Sequence, residues 1–135
     1  MEARGFFERG AELTVAPRVR VGVGFGRDRV VGATALVDTG SDVCAFPESM
    51  FPWGVPERGE PSVWIEFANG EGFSATLRYP SITVGEIREV RVATVVLPDT
   101  PPILGRSFLN RCAIKIEAAR DLVHLRRIAG ARESG

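Results

Sequence analysis

Much of this chain is written in period two, and that constrains its fold more than any other feature. Over residues 17–25, Val19, Val21, Val23 and Phe25 alternate with Arg20, Gly22 and Gly24. Alternation of β-branched with small or charged residues is the signature of a half-buried strand. Residues 26–29 (Gly-Arg-Asp-Arg) have turn composition, and the apolar run 30–37 returns behind them, which predicts a hairpin. Short extended segments are expected again at 43–46, 62–67, 73–79, 81–84, 90–97, 113–117 and 122–127. Asn69-Gly70 is a strong hairpin turn because both residues tolerate positive φ. Gly85-Glu86 and residues 118–121 are the other expected hairpin turns, and only 106–111 reads as helix. Many short strands with one brief late helix predict an all-β barrel or sandwich.

At 135 residues the chain suits one domain. Residues 1–16 read as a lead-in, flexible or part of an interface, and 129–135 as a frayed tail. Seventeen basic residues balance seventeen acidic ones, so no global field favours nucleic acid or an anionic membrane. Cys44 and Cys112 lie far apart and His124 is the single histidine. That supply is too small for a zinc or iron–sulfur site or for a disulfide framework. No apolar stretch approaches the ~20 residues of a membrane span. Residues 1–13 carry charges where a signal peptide would have its apolar core, so a cytoplasmic location is expected, with an excised domain of a tethered or exported protein as the alternative.

The stretch Ala35-Leu36-Val37-Asp38-Thr39-Gly40-Ser41-Asp42 delivers a carboxylate from the end of an apolar strand onto a tight turn. Asp-Thr-Gly alone is a weak motif whose ordinary reading is a turn. Sixty-odd residues later Ile103-Leu104-Gly105-Arg106-Ser107-Phe108-Leu109 follows, with the glycine-tipped hairpin 69–73 between the two. In that order and context, the chain resembles the retropepsin-like aspartic proteases, over residues of about 18 to 127. The resemblance implies an acid-protease fold, closed and barrel-like, over residues 17–128, with a flap hairpin and one short helix near the C-terminus.

It also implies an endopeptidase that needs no cofactor and no metal. Peptide hydrolysis by this route uses two carboxyl groups that share a proton, and the chain holds one Asp-Thr-Gly, so the resemblance implies a homodimer acting on an extended peptide. Asp38 is then the catalytic carboxylate, with Thr39 bonding across the dimer, Gly40 donating its amide toward the carboxylate and Ser41 bonding the outer oxygen of Asp38. Asp42 meets substrate backbone and is held by Arg106, while Gly105 makes the close turn. Asn69, Gly70, Glu71 and Gly72 form the flap tip. Val43, Phe46, Val96 and Ile103, apolar and near the motifs, are the expected pocket walls. The resemblance puts the interface on terminal strands, with Leu122–Arg127 and the N-terminal segment as candidates.

Blander identities stand beside these. Asp42 and Arg106 could be plain surface charges, and a catalytically weak module for dimerisation or peptide binding is the alternative to an enzyme. Ser107 lacks the second glycine of a nucleophile elbow, and His124 in an alternating strand reads as an edge or interface residue. Residues 22–26 (Gly-Val-Gly-Phe-Gly) do not match a dinucleotide loop. Cys44 reads as a small buried residue. Trp53 and Trp64 read as packing, with Trp64, just before the flap, a candidate for substrate contact.

Overall fold

The alternating runs become strands in the computed structural model of the chain, which describes residues 1–10, 14–26, 29–55, 60–66 and 69–130, with backbone alone at 60–62. The long hairpin is β2 (Val15–Gly24) and β3 (Val30–Val37), in continuous register from Arg18↔Leu36 to Gly24↔Val30. Of its expected turn, residues 27 and 28 lie outside the described residues. β4 (Cys44–Pro47), a 3₁₀ turn at Glu48–Met50, and the hairpin strands β5 (Glu60–Glu66) and β6 (Gly72–Arg78) follow. After them come β7 (Ser81–Val84), β8 (Ile87–Glu89), β9 (Thr94–Leu97) and β10 (Ile103–Leu104). The helix α1 (Arg106–Leu109) precedes the last hairpin, β11 (Cys112–Glu117) and β12 (Leu122–Arg127).

Three expectations are corrected here. Residues 2–9 are not a flexible lead-in: they form β1 (Glu2–Arg9), which pairs through residues 2–5 with β12 and through 6–9 with β2. Further bonds hold it, from Glu86 N to Glu2 O at 3.1 Å and from Phe7 N to Asp121 Oδ1 at 2.6 Å. The expected strand over 90–97 does not pair with β7. Arg91 takes the left-handed conformation (φ 56°) and breaks the run, so β8 closes on β7 while β9 leaves to lie between β4 and β6. The sheet is all-β as expected but does not close. Its path runs β11-β12-β1-β2-β3-β10-β4-β9-β6-β5, with β7 and β8 branching from β2.

Two apolar clusters follow from strand parity, because successive side chains point to opposite faces. The larger joins Val19, Val21 and Val23 of β2 to Phe46, Ile82, Leu104, Phe108 and Leu125. The smaller joins Ala45, Val95 and Leu97 to Ala75 of β6, with Val43, Ile65 and Ile103 packed against it. This second cluster ties the β5–β6 hairpin to β4 and β9.

Candidate active site

The apolar strand β3 ends at Val37, and the chain turns at once. Its last residues pair in parallel with β10, at Ile103↔Leu36 and Leu104↔Val37. β10 lies between β3 and β4, so the segment that ends in Gly105 passes directly beneath the Asp38 turn. Three backbone bonds weld the two together. Asp38 N donates to Leu104 O at 3.1 Å, Arg106 N to Ser41 O at 2.8 Å, and Ser107 N to Asp42 O at 3.1 Å, while Ser41 N closes the turn itself on Asp38 O at 3.3 Å. Backbone polar groups at a close contact need partners, and here each of the two motifs supplies them to the other.

Gly105 is the contact point. A Cβ there would sit 2.2 Å from Val43 O and 2.9 Å from Ser41 O, so no other residue fits without moving the Asp38 loop. Gly105→Ala is therefore expected to destabilise the fold by about 2–3 kcal/mol, toward the upper end of overpacking effects, as read by urea unfolding. An unchanged midpoint would refute the tight approach.

Around the carboxylate, Gly40 N donates to Asp38 Oδ1 at 2.9 Å, and a Cβ on Gly40 would crowd that oxygen at 3.2 Å. The expected amide contact is thus present. The Ser41 hydroxyl is not where it was expected. It donates to Val43 O at 2.7 Å, so it braces its own loop instead of the carboxylate. Thr39 is exposed, and its hydroxyl has no partner among the described residues. Arg106 forms an ion pair with Asp42, as expected of the two motifs. The Asp42 side chain is 82% exposed, so solvent screens that pair, and its value is in orientation more than in stability.

Asp38 lies at the edge of a cavity of about 490 Å³ shared with Gly40, Ser41 and Asp42. Its apolar wall comes from Val43, Ala45, Val95, Leu97 and Ile103, and β5 adds Trp64 and Ile65. Two expected wall residues are elsewhere. Phe46 is fully buried in the large core, and Val96 packs toward that core and lines a separate depression by Phe51 and Arg78. Parity explains both errors. Val43 and Phe46 are three residues apart and cannot share a strand face, whereas Val43 and Ala45 do. In β9 the same rule selects Val95 and Leu97 over Val96.

At the tip of the β5–β6 hairpin Asn69 Oδ1 accepts from Glu71 N at 3.0 Å, and Gly70 has φ 87°, an Asx-stabilised turn with a glycine in the left-handed region. The Trp64 ring covers Gly72, where a Cβ would meet it at 2.7 Å. Residues 67 and 68 lie outside the described residues.

Ser107 is buried, and its hydroxyl donates to Ala93 O at 2.7 Å and accepts from Cys44 N at 3.2 Å. It knits α1 to β4 and is no exposed nucleophile. His124 lies on β12 inside the sheet, 3.5 Å from Glu2, rather than on an edge. Both cysteines are buried and free. Burial pushes the Cys44 thiol up from its ordinary value, against hydrogen bonds from Ser107, Gly105 and Phe108 that favour the thiolate. Burial, then the charge of Glu89, pushes Cys112 up against the pull of Arg127 and Arg111. With both thiols raised, less thiolate exists at neutral pH. A thiol reagent at pH 7 is expected to label the native protein far more slowly than the urea-unfolded chain, and equal rates would contradict the burial.

A carboxylate on a welded turn, over an apolar cleft and under a hairpin, is an arrangement suited to peptide hydrolysis. The family of retroviral aspartyl proteases matches residues 13–117. The chain belongs to that family. The match spans β2 to β11 and takes in both motifs, so the retropepsin-like fold and an aspartic-protease type of function in general come with membership. Members are typically dimeric. β1 and β12, which pair with each other, lie outside the matched span. No curated protein matches the chain. Among the described residues no helix is long and apolar enough to cross a membrane.

Proposed function

We propose that the chain is an aspartic endopeptidase that works as a homodimer, with one Asp38 from each copy. The observation that carries this reading is the Asp38 turn itself: the carboxylate of the one Asp-Thr-Gly in the sequence stands at the rim of a cleft with an apolar wall, which Asp42 and Glu66 also border, beside an exposed Thr39 whose hydroxyl finds no partner among the described residues. Half a catalytic pair with a free hydroxyl next to it is what a two-fold partner completes.

In the reaction one Asp38 carboxylate takes a proton from water as the oxygen attacks the peptide carbonyl, and the other, protonated, gives its proton to the carbonyl oxygen. Collapse of the tetrahedral intermediate breaks the C–N bond, with a proton passed to the leaving amine. Thr39 bonds to its counterpart and fixes the pair. Gly40 N orients the inner side of the carboxylate, while Ser41, through Val43 O, stiffens the turn. Asp42, steadied by Arg106, meets substrate amides at the end of the cleft. Asn69, Gly70, Glu71 and Gly72 close over the bound peptide and exclude water. The peptide lies extended, held by main-chain bonds, and the wall of Val43, Ala45, Val95, Leu97 and Ile103 favours apolar side chains beside the cut.

The test is a diverse peptide library incubated with the purified chain over about pH 4–7, with Asp38→Asn in parallel. Cleavage at apolar sites, absent from the variant, supports the proposal. Peptide binding without products, equal in both proteins, would favour the binding-module alternative.

A further inference from the structure

We infer that Trp64 and Glu66 of β5 form a subsite for an arginine side chain, so that the cleft selects peptides with a basic residue flanking an apolar cut. The inference rests on the proposed function above and goes beyond it by naming the substrate class and the residues that choose it. Three carboxylates border the cavity, those of Asp38, Asp42 and Glu66, and among the described residues no lysine or arginine lines it. Two of the three are engaged. Asp38 accepts from Gly40 N, and Asp42 is paired with Arg106. Glu66 is exposed and has no ion-pair partner among the described residues.

Strand parity brings Glu66 and Trp64 together. Two apart on β5, they point to one face, while Val63 and Ile65 point to the other and pack on the second apolar cluster. Across the hairpin Glu66 is opposite Gly72, and Trp64 is opposite Ser74. Gly72 sets no side chain against the carboxylate, and the Trp64 ring occupies the ground this leaves, since a Cβ on Gly72 would meet its Cε2 and Cζ2 at 2.7 Å. Indole and carboxylate are thus neighbours on the border of the cavity, and Trp64 remains 63% exposed. β5 ends the path of the sheet, so no further strand of this chain crowds the pair.

The chemistry of that pair fits a guanidinium. An indole ring attracts a cation to its face, and a carboxylate accepts charge-assisted hydrogen bonds. Guanidinium is planar, stacks on an aromatic ring and still offers N–H groups at its edge, so arginine meets both groups at once. The compact, strongly hydrated ammonium of lysine meets them less well. An exposed ion pair alone is worth little, but closure of the hairpin over a peptide excludes water and strengthens both contacts. The acidic border of the cavity adds a field that draws cationic peptides and repels acidic ones.

Peptides with a short apolar core, carrying Arg, Lys, Gln or Glu in turn at each flanking position, test this on the full chain. At one flanking position Arg is expected to exceed Gln about tenfold in kcat/KM, through KM with kcat little changed, in the order Arg, Lys, Gln, Glu. Added salt is expected to shrink the ratio. Glu66→Gln is expected to cut it to about twofold or less, Glu66→Lys to turn the preference toward Glu, and Trp64→Leu to bring Arg down to Lys. Glu8→Gln, exposed on β1 and outside the cavity, keeps the wild-type ratio. Cleavage without a charge preference, or with one that survives Glu66→Gln, overturns the inference and leaves the proposed function standing. Calorimetric titration of the same peptides into Asp38→Asn gives a second readout. A Kd about tenfold lower for Arg than for Gln, abolished by adding Glu66→Gln, keeps the inference even where the wild-type chain cleaves nothing and the proposed function falls. Equal or unmeasurable affinities, with no cleavage by the wild-type chain, overturn both.

Discussion

Asp38→Asn is expected to lower kcat/KM on any cleaved peptide by about 10³-fold or more, roughly 4 kcal/mol of transition-state stabilisation. Asparagine has the size of aspartate, and its oxygen can still accept from Gly40 N, now at 2.9 Å. The backbone bonds of the turn to Leu104 and the ion pair of Asp42 with Arg106 do not involve the replaced group. Folding and dimerisation are therefore expected to persist, while the pair loses the group that takes or gives a proton. The two-fold reading makes a sharper demand on mixtures. A dimer of one wild-type and one variant chain holds a single carboxyl group and is inactive. If chains reassort freely, a ninefold excess of Asp38→Asn is expected to cut activity per wild-type chain about tenfold. Activity in proportion to wild-type chain alone, whatever the excess, would show that one copy suffices.

Glu89→Ala is expected to destabilise the fold by about 3–5 kcal/mol. Glu89 of β8 is buried, and its two carboxylate oxygens accept separately from Arg111 Nη1, just past α1, and Arg127 Nε at the end of β12. Arg111 is itself buried. Removing the anion leaves the buried Arg111 and the partly exposed Arg127 without the carboxylate they share, and the loss is the penalty of that arrangement more than the attraction given up. Against a net stability of roughly 5–15 kcal/mol for such a domain, thermal unfolding is expected on the order of 10 °C lower or more. Glu117→Ala is the comparison. Its partners Lys115 and Arg120 are 62% and 76% exposed, and screening keeps the effect within about 1 kcal/mol. Equal midpoints for the two variants would contradict the contrast.

How far residues alone carried the description depended on the range of the interaction. The hairpin β2–β3, the hairpin turn at Asn69-Gly70 and the welded pair of motifs were legible because local alternation, turn chemistry and two short motifs carried them. Cleft walls were misread at Phe46 and Val96 although the needed signal, strand parity, was present in the same residues. β1 was missed for a different reason. Glu2, Arg4, Glu8 and Arg9 give it a polar look, and its partners are the neighbouring β2 and a strand about 120 residues away, so its order is supplied by long-range pairing that no local window contains. The split of residues 87–97 into β8 and β9 likewise follows from competing partners, β7 against β4 and β6.

By itself the sequence determined that this chain is all-β, that Asp38 is presented on a turn, and that the turn is answered by Gly105 and Arg106. Each of those rests on neighbours in the chain or on residue types whose chemistry admits few uses. Only the tertiary structure decided that Ser41 braces its own loop, that β1 pairs with β12 and β2, and that β9 leaves β7 and β8 to lie between β4 and β6. These outcomes depend on which distant strands win the pairing, and backbone hydrogen bonds are the same for every residue that can make them.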